Sequence, residues 1–284
     1  MTTRLDDDTV LAWFGQWPPL TGLGQVRLAE ALFNTGQSEP GAAMLRDAWA
    51  DHLFTRKEAQ AIYRRHGKHL RPQDHIARLD TLLWNGHRHA ASRMLSLVPK
   101  DQRRLAEARI ALMARAGGVD GKINAVPAEL RDDPGLIDER ARWRRKARLD
   151  TAAAELLLAV SGAPGPRPDK WWFERAVQAR NLLTDGKADQ AYKLASDHGL
   201  KPGGEDYAEA EWLAGWIALR FRDDPAAAYD HFSRLYEAVN FPVSLARAAY
   251  WAGRAAAGRN DHTQAQRWYA TAAGRHSFGG KLAV

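Results

Sequence analysis

Apolar positions recur along this chain at helical spacing, and one stretch does so twice. Trp212, Trp216 and Leu219 fall at i, i+4 and i+7, and Ala228, Phe232, Leu235 and Val239 form a second stripe. Laid over itself with a shift of 38 positions, Trp212-Leu-Ala-Gly-Trp216 meets Tyr250-Trp-Ala-Gly-Arg254, Asp223 meets Asp261, and Ala227 meets Ala265. Each copy predicts a helix, a short polar break and a second helix. One hairpin cannot bury two such stripes alone, so the pattern implies stacked neighbours. Trp216 and Trp251 are expected in the core.

The same grammar runs through the rest of the chain. Residues 26–49 predict a hairpin turning at Thr35-Gly-Gln-Ser38. Thr55 with Glu58 makes a capping box, and Gly67 is placed for a left-handed cap. Ile76, Leu79 and Leu83 mark the next helix, Asn85-Gly86 its break, and Ala91, Met94 and Val98 the return. Asp133-Pro134 starts a helix running to Leu149, with Leu136, Trp143 and Ala147 as its apolar face. Trp172, Ala176, Ala179 and Leu183 supply a further stripe. Hairpins begin roughly 30 to 38 residues apart, near the period of helical-hairpin repeats. The expectation is all-α: a degenerate, tetratricopeptide-like superhelix of antiparallel hairpins, able to curve into a ring. It reads as a single domain over residues 1–284, and the Pro/Gly-rich loop at 161–168 is the one candidate boundary between two lobes.

Composition narrows the function classes. With 45% hydrophobic residues the chain can bury a sizeable core, and it has no apolar run long enough to span a membrane. The first 19 residues carry Asp6, Asp7 and Asp8 and no apolar h-region, so no secretory signal is read there. The absence of cysteine excludes disulfides, thiolate metal sites and cysteine nucleophiles. A net charge of +7 and a pI near 9.7 favour an anionic partner over a neutral one.

Candidate chemistry is sparse. His66, His69, His75, His87 and His89 cluster in sequence, but no pair at i, i+4 stands beside a general-base Glu, so they are taken as solvated or structural. Asp132-Asp133 and Asp223-Asp224 are better explained as helix caps than as paired glycosidase acids. Gly117-Gly118 and Gly203-Gly204 lack the Lys-Ser/Thr of a phosphate loop. The densest basic segment holds Arg140, Arg142, Arg144, Arg145, Lys146 and Arg148. On the predicted helix Arg140 lies along the buried edge, expected to pair with a carboxylate. Arg144, Arg145 and Arg148 point outward as candidate contacts for an anionic glycan, against the plainer reading of a solvated face. No catalytic, cofactor or metal residue is assigned. Nucleic acid is disfavoured, because the Trp residues sit in apolar stripes rather than on an exposed stacking platform.

Several stretches together resemble a known family. Arg175 with Ala179-Arg180, Ala191-Tyr192, Leu213-Ala-Gly-Trp-Ile-Ala-Leu-Arg220, Phe241-Pro-Val-Ser-Leu-Ala-Arg247, Tyr250-Trp-Ala-Gly-Arg-Ala255 and Trp268-Tyr269 are similar to the superhelical domain of soluble lytic murein transglycosylases. The resemblance is weaker upstream, at Leu82-Leu-Trp84 and Trp143-Arg-Arg145. It implies a ring-like helical scaffold in the periplasm, partnered by peptidoglycan or by a lysozyme-like domain that cleaves it. That domain's Glu-Ser and Gly-Leu-Met-Gln motifs occur nowhere in the 284 residues. Ser277-Phe-Gly-Gly-Lys-Leu-Ala283 is similar to the family's junction into the next domain, so the chain reads as a fragment or shortened product. The expectation is therefore a non-catalytic scaffold without cofactor. The alternatives are a free-standing helical-repeat adaptor for a peptide or protein, and an enzyme with an unrecognised site.

Overall fold

The computed structural model describes residues 5–160 and 167–274. Residues 161–166 of the Pro/Gly-rich loop and the 277–283 junction motif lie outside them. The described residues are helical throughout, with no strand. Internal contacts divide the chain into two compact units, Met1–Glu139 and Arg140–Val284, each taken by itself below.

The first unit contains α1 (Asp7–Gln16), α2 (Gly22–Asn34), α3 (Ser38–Asp51), α4 (Arg56–His66), α5 (Pro72–Trp84), α6 (Arg88–Met94), α7 (Lys100–Ala114), α8 (Val119–Asn124) and the start of α9 (Pro134–Lys146). Its core gathers Val26, Leu45, Trp49, Phe54, Leu79 and Leu83 from α2 to α5 with Met94 and Val98 beyond them. The capping box forms: Thr55 N donates to Glu58 Oε2 at 2.7 Å, and Glu58 N to Thr55 Oγ1 at 3.3 Å. Gly67 is not a left-handed cap. Its φ is −55°, and the chain continues into a 3₁₀ turn at Gly67–His69. Gly36 and Gly86 are left-handed, as the breaks at Thr35 and Asn85 imply, and so are Arg115, which caps α7, and Gly118.

The second unit contains the end of α9, then α10 (Asp150–Ala159), α11 (Pro168–Thr184), α12 (Ala188–Ser196), α13 (Gly204–Phe221), α14 (Pro225–Ala238), α15 (Pro242–Gly258) and α16 (His262–Ala273). The two copies of the repeat are the hairpins α13–α14 and α15–α16. Glycine explains how each hairpin closes. A Cβ on Gly215 would come within 2.9 Å of the Phe232 ring, and one on Gly253 within 2.6 Å of the Tyr269 ring. The second helix of each pair thus lays an aromatic ring directly on the backbone of the first.

The repeat is not a uniform 38 residues. Gly215 and Gly253 are 38 apart, but Phe232 and Tyr269 are 37 apart. So are the left-handed turn residues Gly186, Asp223 and Asn260, with φ of 74°, 50° and 62°. Arg148, φ 62°, occupies the same kind of turn 38 residues before Gly186. Asp224 and Asp261, not Asp223 and Asp261, are the equivalent caps, each accepting a backbone N–H three residues on at 3.0 Å. Buried Ala265 likewise pairs with buried Ala228 rather than Ala227. The turns 222–224 and 259–261 are equally long; the later hairpin is one residue shorter between its close-packed glycine and the end of its first helix, Gly253 to Gly258 against Gly215 to Phe221.

Trp216 and Trp251 are half-buried, not fully enclosed. Trp212 stacks on Trp216 with centroids 5.7 Å apart, and Trp251 stacks on Phe232 at 5.8 Å, flanking the core of this hairpin pair. The tryptophans buried in the cores are Trp49, Trp84, Trp171 and Trp172.

Candidate functional site

The basic segment at 140–148 is spent largely inside its own unit. Glu174 on α11 is 0% exposed, and Arg145 grips it with one edge of its guanidinium, Nε to Oε2 at 2.7 Å and Nη2 to Oε1 at 2.9 Å. Arg142 Nε adds a third donor at 3.3 Å. The Glu174 hydrogen bonds raise the Arg145 pKa further, as a fixed ion pair requires. Arg144 Nη1 donates to the Ala152 carbonyl at 2.7 Å. Arg144 and Arg145 are therefore half-buried structural residues, and the outward-facing phase expected for them is corrected. Arg148 does face solvent, at the turn that ends the helix, and Arg140 is half-buried. Leu136 is buried as expected and Trp143 half-buried, but Ala147 is exposed, and Ile137 and Ala141 complete the buried side.

A second buried acid stands 37 residues after Glu174. Glu211 on α13 is 3% exposed. It accepts from Arg234 Nε and Nη2, both at 3.1 Å, from His231 Nδ1 at 2.6 Å and from His198 Nε2 at 3.3 Å. His198 Nδ1 accepts from the Leu200 backbone at 3.0 Å, which fixes the proton on Nε2. Burial alone would raise the Glu211 pKa, but the His198, His231 and Arg234 hydrogen bonds outweigh it and hold the carboxyl well below the usual range. His231 Nε2 lies 3.0 Å from the Tyr192 hydroxyl. This Tyr–His–Glu line has the connectivity of a catalytic relay, yet burial raises the Tyr192 pKa and keeps the phenol protonated. It is a satisfied polar core joining α12, α13 and α14.

One acid behaves unlike the cap expected from sequence. Asp133 does cap α9, accepting from Leu136 N at 2.8 Å. Its pKa is nevertheless raised: burial dominates, and Arg109 only partly offsets it. Arg109, 1% exposed, donates to Asp80 at 2.8 Å and sits 3.7 Å from Asp133, at the wall of a cavity of about 380 Å³.

The sequence histidines disperse. His66 meets Glu30 at 3.1 Å, His69 stacks on Phe33, and His75 Nδ1 accepts from Trp49 Nε1 at 3.2 Å. Among the described residues no three His, Cys, Asp or Glu gather to hold a metal ion.

The site that sequence reading missed lies in the first unit. Arg78 on α5 is 2% exposed and has no carboxylate partner among the described residues. Its Nη1 gives both hydrogens to main-chain carbonyls, Trp49 O at 2.6 Å and His52 O at 2.9 Å. Its plane lies over Trp49, 4.2 Å from the ring centroid, with Phe54 at 5.2 Å. Nε is buried without an acceptor. Burial, reinforced by Arg93, pulls the pKa down to about 10, so the cation persists at neutral pH. Arg78 walls a cavity of about 240 Å³ together with Trp49, Tyr63, Met94, Arg56 and Arg93. An adjoining depression of about 610 Å³ shares Arg56 and Arg93 and adds Arg88, His87 and His89. Its one acid, Glu58, is held in the capping box.

No protein family, curated protein or solved structure matches this chain.

Proposed function

We propose that this chain is a non-catalytic helical-repeat scaffold, of the kind that holds and orients the glycan-cleaving domain of a periplasmic lytic transglycosylase. The observation that carries the reading is the glycine-on-aromatic closure of successive hairpins. The residues that resemble the family, in Leu213-Ala-Gly-Trp216, Tyr250-Trp-Ala-Gly-Arg254 and Trp268-Tyr269, include both glycines and the Tyr269 ring of that closure. A repeat conserving such contacts is built for shape. Its buried acids add support: Glu174 and Glu211 are both locked in charge-assisted hydrogen bonds, and those on Glu211 hold it as a carboxylate, not as a proton donor.

Asp133 is the acid best suited to contradict this, because its pKa is raised beside an open cavity. The purified chain incubated with murein sacculi should bind without releasing anhydro-muropeptides. Release above a buffer control that disappears in Asp133→Asn would replace the scaffold with an enzyme.

A further inference from the structure

We propose that the Arg78 cavity is a binding site for a carboxylate carried on a small apolar body. This goes beyond the scaffold reading and does not depend on it.

Three independent features of the cavity converge on that chemistry. The first is an uncompensated charge. A guanidinium buried this deeply ordinarily has an acidic partner, because the desolvation of an unpaired cation is costly. Arg78 has only two carbonyl dipoles and two aromatic faces. With Nη1 saturated and Nε enclosed, Nη2 is the nitrogen left to a ligand. Its N–H on a charged guanidinium suits a carboxylate oxygen, to which a charge-assisted hydrogen bond is strong.

The second feature is the lining. Trp49, Phe54, Ala59, Tyr63, Met94 and Leu97 surround the cation with apolar and aromatic surface. Such a wall favours a body that sheds water, and disfavours inorganic phosphate, which would have to leave its hydration shell against it.

The third is the rim. Arg56 and Arg93 are exposed and form no ion pair within the described residues, and no carboxylate lines the cavity itself. They set a positive field at the mouth of a site whose floor is already positive. Positive charge gathered without acids attracts an anion and also makes the empty site less stable than the filled one.

This chemistry has two sources, the C-terminal carboxylate of a peptide ending in an apolar residue and a free aromatic acid. Isothermal titration calorimetry on the full chain separates them, with 3-phenylpropionate, N-acetylphenylalanine, a pentapeptide ending in Phe, and the same pentapeptide as its C-terminal amide. The carboxylates should bind and the amide should bind at least about tenfold more weakly, the loss expected for a hydrogen-bonded charge. Tighter binding of the peptide acid assigns a chain end, and tighter binding of the free acids assigns a small molecule. Arg78→Met should abolish binding, with helix content checked by circular dichroism because Arg78 also ties down two carbonyls. The doubly substituted Arg56→Gln, Arg93→Gln chain alters only exposed side chains and should weaken binding severalfold while staying folded. Equal binding of acid and amide, no binding of any carboxylate, or equal competition by inorganic phosphate would each overturn the assignment.

Discussion

The guanidinium of Arg109 occupies the space in which residue 135 would carry a side chain. A Cβ on Gly135 would stand 2.1 Å from Arg109 Cζ and 2.3 Å from both terminal nitrogens. The glycine in the first turn of α9 is therefore a seat for a buried cation that also spans Asp80 and Asp133. Gly135→Ala should lower unfolding free energy by about 1–3 kcal/mol through overpacking. Combined with Arg109→Ala, the same change should cost less than the two single effects summed, since the clash is then gone. A urea-denaturation double-mutant cycle reads both numbers, and strict additivity would refute the contact.

The left-handed turns predict stabilising substitutions. Arg148 and Asp223 hold φ of 62° and 50°, a region in which a Cβ is strained and glycine is not. Arg148→Gly should add about 0.5–1 kcal/mol, visible as a raised melting temperature, and Asp223→Gly less. Asn260→Gly should change little, because asparagine tolerates this conformation.

Glu211 sets an acid limit on the second unit. Its folded-state pKa is depressed, so its stabilisation is complete above the ordinary glutamate value of 4.5 and is lost progressively as pH falls below it. Glu211→Gln should destabilise by about 3–5 kcal/mol at neutral pH by breaking a buried network. It should also flatten the fall in stability below pH 4.5. Urea midpoints measured from pH 7 down to 3 test both, and an unchanged acid slope would show that Glu211 does not govern it.

Arg145 and Arg148 should separate stability from ligand contact. Arg145→Gln leaves Glu174 short of its best donor and should cost about 3 kcal/mol. Arg148→Gln should be within about 0.5 kcal/mol of the parent, as for surface changes generally. A melting curve for each decides it, and a neutral Arg145→Gln would restore that residue as a free glycan contact.

The helices were legible because the Trp, Leu and Ala spacings record which face is dry. The phase was less so. In α5 the stripe of Ile76, Leu79 and Leu83 is real, but Asp74, His75 and Arg78 are buried with it, and Ile76 is only half-buried. Arg78 stands one position before Leu79 and four before Leu82, on the apolar side, which was its only signal. Nothing local says whether such an Arg has a carboxylate, because its contacts come from Trp49 and His52, 29 and 26 residues earlier. The Arg145–Glu174 pair was hidden for the same reason, its partner lying 29 residues on. The one-residue slip between 38 and 37 was visible at Asp224 and Asp261 only once the turns themselves were placed.

The turn arginines give the second unit a polarity. Arg222 lies over Tyr192 at 4.2 Å, and Arg259 lies over Tyr229 at 4.7 Å. In each case the ring belongs to one hairpin and the cation to the turn of the next, 37 residues further along in both members. The joint is head-to-tail, like bricks with a stud on one side and a socket on the other. Excising residues 193–229 would remove one stud and one socket together, leaving the Tyr192 ring to receive Arg259. A gene encoding such units can lengthen or shorten by whole multiples of this segment without inventing a new interface.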